Sequence, residues 1–253
     1  MKRKIVLIIS LVVITFLSQS ISEENKIDWT KLPQLKGSGW GGGNIDTEPK
    51  KIGDLDEFDS LLEDGFRRLL KHGITDVPGM KEIDVKLSSS GFLKEKGLSY
   101  DGEKAFDHDL KTAWCEGAEG FGFRECLKLD IKFTIDEKNE RYKSGVGIPA
   151  VLIYPGFGRS EDLFYKNNRL KSVILMVTAK EFCRDHKTKK MRLCKFTSAH
   201  RLKFEDVNKY HLFRIEDPYT IAREFEIYLY IEDVYKGSHY DDTCISDIKF
   251  YYY

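Results

Sequence analysis

From residue 81 onward the sequence breaks into short segments with the length and composition of β-strands, separated by polar turns. Branched and aromatic residues dominate these segments, and several alternate apolar with polar residues, which is the pattern of a half-buried strand. The clearest segments are LKLDIKF, IPAVLIY, LKSVILMV, MRLCKF, FEIYLYI and ISDIKF. No convincing helical pattern interrupts them. The sequence therefore predicts an all-β domain over residues 81–253, built as an antiparallel sandwich or barrel.

The first twenty residues have the three parts of a secretory signal peptide. MKRK is a basic start, IVLIISLVVITFL is an apolar stretch too short to span a bilayer comfortably, and SQS supplies small residues before cleavage after Ser20. No later apolar run has the length of a membrane span. We expect residues 1–20 to be a signal peptide, and the protein to be exported to a periplasm, a cell surface or the extracellular medium.

The charge balance argues against a nucleic-acid partner. Removal of Lys2, Arg3 and Lys4 with the signal peptide leaves 38 basic residues against 41 acidic ones, a net charge of −3. Acids and bases are interspersed, whereas a nucleic-acid binder normally presents a clustered basic face. The one basic stretch, KTKKMR at residues 187–192, is typical of a hairpin tip, which we interpret as a solvated loop in preference to a polyanion site.

Residues 21–80 are predicted to form a flexible lead-in followed by one amphipathic helix. The lead-in is rich in glycine and polar residues, and the helix is predicted over residues 54–72, where apolar residues recur at helical spacing. That apolar face is made of Leu55, Phe58, Leu61, Leu62, Phe66, Leu69 and Leu70. We expect it to pack on the following domain, and a helix that binds a protein partner is the alternative.

The segment AFDHDLKTAWCE at residues 105–116 raises a more specific chemical question. Its spacing can place the oxygens of Asp107, Asp109 and Thr112 around one hard cation, because a tight loop turns several oxygens inward. Aspartate side chains also bond their own backbone and favour turns without any metal. From these residues alone, a cation site and an ion-free capped turn are both open.

Three ordered segments resemble the discoidin-like, galactose-binding-type jelly rolls of secreted bacterial proteins. They are AFDHDLKTAWCEGAEGFG, YPGFGRSEDLFYKNNRLKSVILMV and IEDVYKGSHYDDTCISDIKF. The chain is most similar to the NADase-type glycan-binding domain, over roughly residues 85–250. The resemblance implies a discoidin-like antiparallel β-sandwich, here preceded by a short N-terminal helical region. Such jelly rolls bind sugars, lipids or proteins through loops, so the fold alone does not select the ligand.

The resemblance also bears on the aspartate turn. In many domains of this shape that turn holds a structural calcium ion together with an acid near the C-terminal strand, which maps to Asp107, Asp109, Thr112 and Asp247. This sequence departs from the usual pattern in two ways. His108 stands where a glycine is common, and Asp247 is shorter than the usual glutamate. A structural Ca²⁺ and an ion-free turn remain the two interpretations.

Sugar recognition requires flat apolar surface for the C–H face of the sugar and converging polar groups for its hydroxyls. Two segments supply both, residues 154–169 and residues 235–242, while Glu116 lies on a permissive loop after the core tryptophan Trp114. The predicted ligand-binding residues are Glu116, Tyr154, Phe157, Arg159, Tyr165, Asn167, Asn168, Arg169, Tyr235 and Tyr240, with His239 in the same aromatic group. The expected partner is a glycan or a glycosylated surface.

Five cysteines in an exported chain predict disulfides with one thiol left over. Cys183 and Cys194 flank the basic stretch and can staple a hairpin. Cys115 and Cys244 belong to the two motif segments that flank the aspartate turn and can pair across it. Cys126 is then a buried free thiol within a strand.

We therefore expect a non-catalytic carbohydrate-binding or adhesion module. A protein- or lipid-docking module of the same fold is the main alternative. A hydrolase that uses Glu116 and Asp242 as acid and base is a weaker one. The sequence contains no nucleophile elbow, zinc-hydrolase helix motif or phosphate loop, and it leaves no room for an NAD-cleaving catalytic domain beside the predicted helix.

Overall fold

The computed structural model describes residues 80–138, 145–185, 187–215 and 221–252, together with three two-residue strands that precede them. The strands are β1 (Asp46–Thr47), β2 (Arg67–Arg68), β3 (His72–Gly73), β4 (Met80–Ser89), β5 (Lys94–Glu95), β6 (Leu98–Ser99), β7 (Trp114–Cys115), β8 (Cys126–Ile135), β9 (Ala150–Tyr154), β10 (Arg169–Arg184), β11 (Met191–Lys203), β12 (His211–Arg214), β13 (Glu224–Tyr235), β14 (Cys244–Ile245) and β15 (Asp247–Tyr252).

Seven strands form the larger sheet, in the order β1-β11-β10-β13-β8-β4-β3. Every neighbouring pair is antiparallel except β1 with β11. The alternation in the sequence of β8 sets which side faces inward, since Leu127, Leu129, Ile131 and Phe133 are buried while the lysines between them lie on the other face.

Four strands form the second sheet, in the order β12-β9-β15-β2. Its inward residues, among them Ile153, Phe213 and Phe250, belong to the same core cluster as Leu129 of β8 and Val173 of β10. Two sheets that share one apolar core constitute a β-sandwich, which is the predicted fold class. Strand β9 is buried over its whole length because Ala150 and Leu152 pack on the opposite side of this sheet.

Within the described residues, two short helices interrupt the β-structure, and neither was predicted. A 3-10 helix covers Gly102–Ala105, and α1 covers Glu161–Lys166. Ser160 caps α1, because its hydroxyl accepts a hydrogen bond from the backbone N–H of Leu163 at 3.2 Å. The sequence pattern missed α1 because a helix of six residues is too short to show an apolar periodicity.

The predicted helix over residues 54–72 is only partly open to comparison. Residues 54–66 lie outside the described residues. At its C-terminal end the prediction is wrong, since Arg67–Arg68 pairs with β15 and His72–Gly73 pairs with β4. Backbone pairing with a sheet edge overrides the local helical preference there. Among the described residues, no helix has the length and apolar character needed to cross a bilayer.

Strands β10 and β11 form the longest hairpin of the domain. Strand β10 begins at Arg169 beside the loops that carry most of the predicted ligand residues, and it ends at Arg184. The basic stretch at residues 187–192 forms the turn that leads into β11 and the first two residues of that strand, as predicted for a hairpin tip. One end of the hairpin lies beside residues 154–169 and 235–242, and we call this end of the sandwich the loop end. The tip of the hairpin is far from it.

Candidate functional site

The loop end is held together by the guanidinium of Arg169. Its Nε and one terminal nitrogen both donate to the carboxylate of Asp206 at 2.8 Å, in a bidentate pair. The other terminal nitrogen points at the backbone carbonyls of Tyr165, Asn167 and Lys236, at 3.0 to 3.3 Å. One buried side chain thus ties α1, the start of β10 and the loop after β13 into a single unit.

Asn168 fixes the same loop through the backbone. Its side-chain nitrogen donates to the carbonyl of Asp241, and its side-chain oxygen accepts the N–H of Gly237 at 2.7 Å. Gly237 is required by space, because a Cβ atom there would lie 2.3 Å from the carbonyl oxygen of Lys166. The loop over residues 236–243 is therefore clamped against the C-terminal end of α1.

The buried side chain of Glu116 connects two further segments of the loop end. Its carboxylate accepts the N–H groups of Ala118 at 2.7 Å and Thr243 at 3.1 Å, and burial raises the pKa of this carboxyl to about 7. Gly122, with φ of 68°, leaves the space that the Glu116 side chain occupies. Glu116 has no exposed surface, so it cannot act with Asp242 as a pair of catalytic carboxylates on a bound sugar.

Two predicted aromatic platforms also lie inside the protein. Tyr154 donates its hydroxyl to Asn208 and meets the ring of Tyr210 edge-on at 5.1 Å. Phe157 packs edge-on against Tyr100 with ring centroids 6.2 Å apart, and it contacts the disulfide region of the core. Both rings are almost completely buried, so neither presents a free face to a sugar.

Six of the ten predicted ligand-binding residues are buried in the structure. The buried members are Glu116, Tyr154, Phe157, Asn167, Asn168 and Arg169. Glu116 and Asn168 have no exposed surface, so neither is included in the surface described below. The other buried members use their polar atoms or ring faces within the protein, and their structural role is to position the loops.

The exposed members of the set are Arg159, Tyr165 and Tyr240, while Tyr235 is half-buried. Tyr165 and Tyr240 lie close together, because the backbone N–H of Tyr240 donates to the carbonyl of Lys166 at 2.8 Å. Tyr235 donates its hydroxyl to the carbonyl of Phe204 at 2.9 Å. Its hydroxyl is thus engaged, whereas Tyr165 and Tyr240 are 39% and 42% exposed.

A second polar group at the loop end was not predicted. The hydroxyl of Tyr100 points at Glu95 on the β5–β6 hairpin at 3.4 Å, and burial and the Glu95 carboxylate raise its pKa. Arg159 and Asp242 are near enough to act on the same hydroxyl electrostatically, Arg159 lowering and Asp242 raising its pKa. The sequence KEKGLSY, which contains Glu95 and Tyr100, matches no chemical motif. Only the folded position of Tyr100 near Arg159 identifies this polar group as part of the loop end.

The aspartate turn is capped by its own side chains. The hydroxyl of Thr112 lies 2.7 and 2.9 Å from the carboxylate oxygens of Asp107, and the backbone N–H of Asp109 donates to Asp107 at 3.0 Å. Asp109 in turn accepts the N–H of Lys111 at 2.9 Å. His108 adopts a left-handed backbone conformation with φ of 61°, a region that residues other than glycine seldom enter. These are the bonds by which aspartate and threonine side chains cap a turn.

Asp247 does not join the turn carboxylates in one ligand set. It is fully buried, and its oxygens meet His108 at 3.1 Å, the hydroxyl of Tyr210 at 2.7 Å and the ammonium of Lys249 at 2.9 Å. These donors lower the pKa of Asp247 against the effect of burial. A carboxylate already paired with an ammonium group does not fit a calcium ligand. Within the described residues, no cluster of three acidic, histidine or cysteine side chains is arranged for a metal.

All five cysteines lie in the described part of the chain, and the predicted pairings are present. Cys115 and Cys244 form a disulfide between the paired strands β7 and β14, with Cα atoms 4.1 Å apart. Cys183 and Cys194 form a second disulfide across the β10–β11 hairpin. Cys126 is a buried free thiol, as predicted, and burial raises its pKa to about 11.

Residues 79–251 match the sequence profile of a family described as the NAD glycohydrolase translocation F5/8 type C domain. No curated protein matches the chain. Among solved structures, the CBM32-1 and CBM32-2 domains of Clostridium perfringens ZmpB are similar, with 14% identity and a TM-score of 0.40 over 85% of this chain. The chain spans 42% of the length of that structure.

Two further solved structures are similar over 66% of this chain. An F5/8 type C domain from Bacteroides fragilis is 15% identical, with a TM-score of 0.39 and 90% of its own chain covered. A CBM32 domain from Clostridium perfringens, solved in complex with GalNAc-β-1,3-galactose, is 12% identical, with a TM-score of 0.37 and 94% of its own chain covered.

Proposed function

Because the chain belongs to the NAD glycohydrolase translocation F5/8 type C domain family, we propose that it is an exported, non-catalytic module that binds carbohydrate at its loop end. The observation that carries the proposal is the pairing of exposed aromatic rings with charged side chains on one surface. Tyr165 and Tyr240 supply the rings, and Arg159 with Asp242 supplies hydrogen-bonding groups.

This combination suits a sugar more than a flat apolar partner. A pyranose ring has an apolar C–H face, which stacks on a tyrosine, and a rim of hydroxyls that both donate and accept hydrogen bonds. Arg159 donates only, Asp242 accepts when ionised, and the hydroxyl of Tyr100 does both. A binding surface of this kind discriminates sugars by the positions of their hydroxyls.

The network beneath these side chains favours binding over catalysis. The Arg169–Asp206 pair, the Asn168 bonds and the Cys115–Cys244 disulfide hold the loops before any ligand arrives. Preorganised loops reduce the entropy lost on binding. This matters for a sugar, because its small contact area provides little favourable free energy to offset such a loss.

Export is the part of the proposal that concerns the cellular location. The N-terminal signal pattern supports it, and so do the two disulfides, because disulfides persist in oxidising compartments and are rare in a reducing cytosol. We place the protein in a periplasm, on a cell surface or in the medium. Fractionation of a producing cell, with antibody detection of the cleaved chain, tests this location.

The binding proposal is tested on a glycan array with residues 21–253. Tyr240→Ala and Arg159→Ala should each lower binding of the selected glycan about tenfold, the usual effect of removing one central contact. Arg214→Ala is the matched control, since this exposed arginine lies on β12 and away from the proposed surface. Thermal unfolding of each variant establishes that it is folded.

Each result leads to a different conclusion. Selective binding that both loop variants weaken and the control leaves unchanged supports the site. Binding that survives both loop substitutions moves the carbohydrate site elsewhere on the molecule. A folded protein that binds no glycan refutes the proposal and favours the protein- or lipid-docking alternative.

A further inference from the structure

The β10–β11 hairpin continues beyond the sheet that contains it. Pairing of β10 with β13 ends at Lys180 and Glu224, yet β10 and β11 pair on for four more positions, from Glu181–Cys194 to Arg184–Met191. Past Lys180, neither strand pairs with a third strand in the described part of the chain. We call residues 181–195 the distal ribbon, which extends about 13 Å beyond the last three-stranded pairing.

One face of the distal ribbon is apolar and exposed. Phe182 lies opposite Leu193, and Met191 follows on the same face, because alternate residues of a strand point to the same side. Their exposed fractions are 68% for Phe182, 53% for Leu193 and 62% for Met191. Three large apolar side chains exposed together at the end of a projecting hairpin are uncommon in a soluble domain. Such an exposed apolar patch indicates an interaction site.

The same ribbon is strongly basic. It contains six lysine and arginine residues against two acids, a net charge of +4 in a chain whose net charge is zero. The basic residues are all exposed: Arg184, Lys187, Lys189, Lys190, Arg192 and Lys195. Of the two acids, Asp185 is used within the turn, where it accepts the N–H groups of Lys187 at 2.9 Å and Thr188 at 2.7 Å. The exposed apolar face is therefore bordered by cations.

The opposite face of the ribbon carries the Cys183–Cys194 disulfide. An isolated two-stranded hairpin is marginally stable in water, so a cross-strand bond is what keeps such a projection folded without a core beneath it. The disulfide thus presents the apolar face and its basic border in a fixed arrangement.

We propose that the distal ribbon docks on the surface of an anionic lipid bilayer, with Phe182, Met191 and Leu193 inserted among the headgroups and the flanking cations bound to lipid phosphates. The two properties of the ribbon match the two properties of that surface, an apolar interior beneath a negative layer. A soluble polyanion satisfies the cations but leaves the apolar face in water. An acidic protein is a separate candidate that the test below distinguishes.

The proposed lipid contact lies at the opposite end of the molecule from the proposed carbohydrate surface. Strand β10 runs from Arg169 at the loop end to Arg184 in the ribbon, and its sixteen residues span about 50 Å. A ribbon inserted in a bilayer leaves the loop end directed away from it. The inference goes beyond the proposed function and does not depend on it.

The test is vesicle flotation with residues 21–253 and two kinds of liposome, phosphatidylcholine alone and an equimolar mixture of phosphatidylcholine and phosphatidylglycerol. The protein should float with the mixed vesicles and not with the neutral ones. Phe182→Ser with Leu193→Ser should reduce the bound fraction at least tenfold, because both side chains leave the bilayer. Both residues are exposed, so the substitutions leave the fold intact.

A charge variant and two controls complete the design. Lys189→Glu with Lys190→Glu should also lower binding at least tenfold, and raising the salt concentration should weaken wild-type binding. Leu98→Ser is the matched apolar control, since Leu98 is 57% exposed on the β5–β6 hairpin at the loop end. Tyr240→Ala should float as the wild type does, which separates this proposal from the carbohydrate site.

Four outcomes overturn the proposal. They are a failure of the wild type to float with anionic vesicles, equal binding to both liposomes, flotation that survives the ribbon substitutions, and equal loss of flotation in the Leu98→Ser control. If the wild type fails to float and forms a dimer that Phe182→Ser with Leu193→Ser dissociates, a second copy of the chain covers the ribbon instead. If it neither floats nor dimerises, an acidic protein partner becomes the leading candidate.

Discussion

At the scale of single residues, two buried titratable groups have pKa values displaced in opposite directions. Burial raises the pKa of the Glu116 carboxyl to about 7, and burial lowers the pKa of the His211 imidazole to about 4. The folded protein therefore binds the Glu116 proton more tightly than the unfolded chain does, and it binds the His211 proton more weakly. The two differences have opposite sign and fall in the same range of pH. Their effects on the free energy of unfolding therefore oppose each other.

The two groups should give stability profiles of opposite slope once they are separated. The Glu116 contribution is complete below its ordinary pKa and is lost as the pH rises towards 7, whereas the His211 contribution is lost as the pH falls from about 6.5 towards 4. We expect Glu116→Gln to make the free energy of unfolding rise between pH 4.5 and pH 6.5, and His211→Gln to make it fall, each by about 2 kcal/mol.

Denaturant unfolding of the two variants and the wild type across this range measures the slopes. The wild type should vary least, because the two contributions nearly cancel. Glu119→Gln is the control, since Glu119 is exposed on the same loop. If both variants keep the wild-type profile, the pKa displacements assigned to the two groups are incorrect.

The aspartate turn gives a second prediction at this scale. Since Asp107 is occupied by Thr112 and Asp247 by Lys249, we expect neither calcium nor its removal with EDTA to shift the melting temperature. Asp107→Ala should cost about 1 kcal/mol of stability through the lost turn bonds, equally with and without calcium. A melting temperature that rises with calcium and loses that response in Asp107→Ala would restore the calcium interpretation.

At the scale of elements, the two disulfides stabilise the protein to different extents. Cys115–Cys244 closes a loop with a sequence separation of 129, and Cys183–Cys194 one with a separation of 11. Loop-closure entropy in the unfolded chain makes the longer closure worth about 2 kcal/mol more. We expect the Cys115→Ala, Cys244→Ala variant to be less stable than the Cys183→Ala, Cys194→Ala variant by that amount in denaturant unfolding.

The longer disulfide also anchors β14 directly after the loop that carries Tyr240 and Asp242, so its loss should weaken glycan binding as well as stability. The hairpin disulfide should leave glycan binding unchanged. Equal stability losses would show that the unfolded chain is already constrained across the first pair. Glycan binding that is insensitive to the first pair would mean that Arg169 and Asn168 position the loops without it.

The same scale shows which elements the sequence reveals. The strands were predictable, because LKLDIKF and FEIYLYI carry an alternation that only a half-buried strand explains. The Cys183–Cys194 pair followed from its place on either side of a hairpin tip, and the Cys115–Cys244 pair from the two motif segments beside the aspartate turn. The burial of Arg169 and Asn168 was not, since it depends on Asp206 and on the carbonyl of Asp241, which are distant in sequence. Polar residues that suggested a ligand surface instead satisfy the backbone and carboxylate groups of the loops.

Tyr100 and Glu95 are the opposite case, because they lie at the proposed surface but were not predicted from the sequence. Neither belongs to a recognisable motif, and their relevance comes from the folding of a short hairpin beside Arg159. The exposed apolar residues of the distal ribbon were likewise invisible in sequence. MRLCKF is a strand-length segment like those of the core, and its exposure follows from the pairing of β10 and β11 beyond Lys180, where β13 no longer pairs with β10.

At the scale of the whole molecule, the long β10 strand separates two surfaces of different chemistry. The loop end combines aromatic rings with donors and acceptors, and the distal ribbon combines apolar side chains with cations. No contact is shared between them, so substitutions at one end should not alter binding at the other. A molecule with two independent surfaces can connect two particles, which a molecule with a single site cannot do as a monomer.

We therefore expect the protein to link glycan-coated beads to vesicles that contain phosphatidylglycerol. Tyr240→Ala should abolish the linkage while it preserves flotation, and Phe182→Ser with Leu193→Ser should abolish it while glycan binding persists. Fluorescent vesicles captured on the beads measure the effect, and a mixture of the two variants should not restore it, because each molecule needs both ends. Capture that the mixed variants do restore would mean that linkage arises from association between molecules, with the two surfaces on different copies.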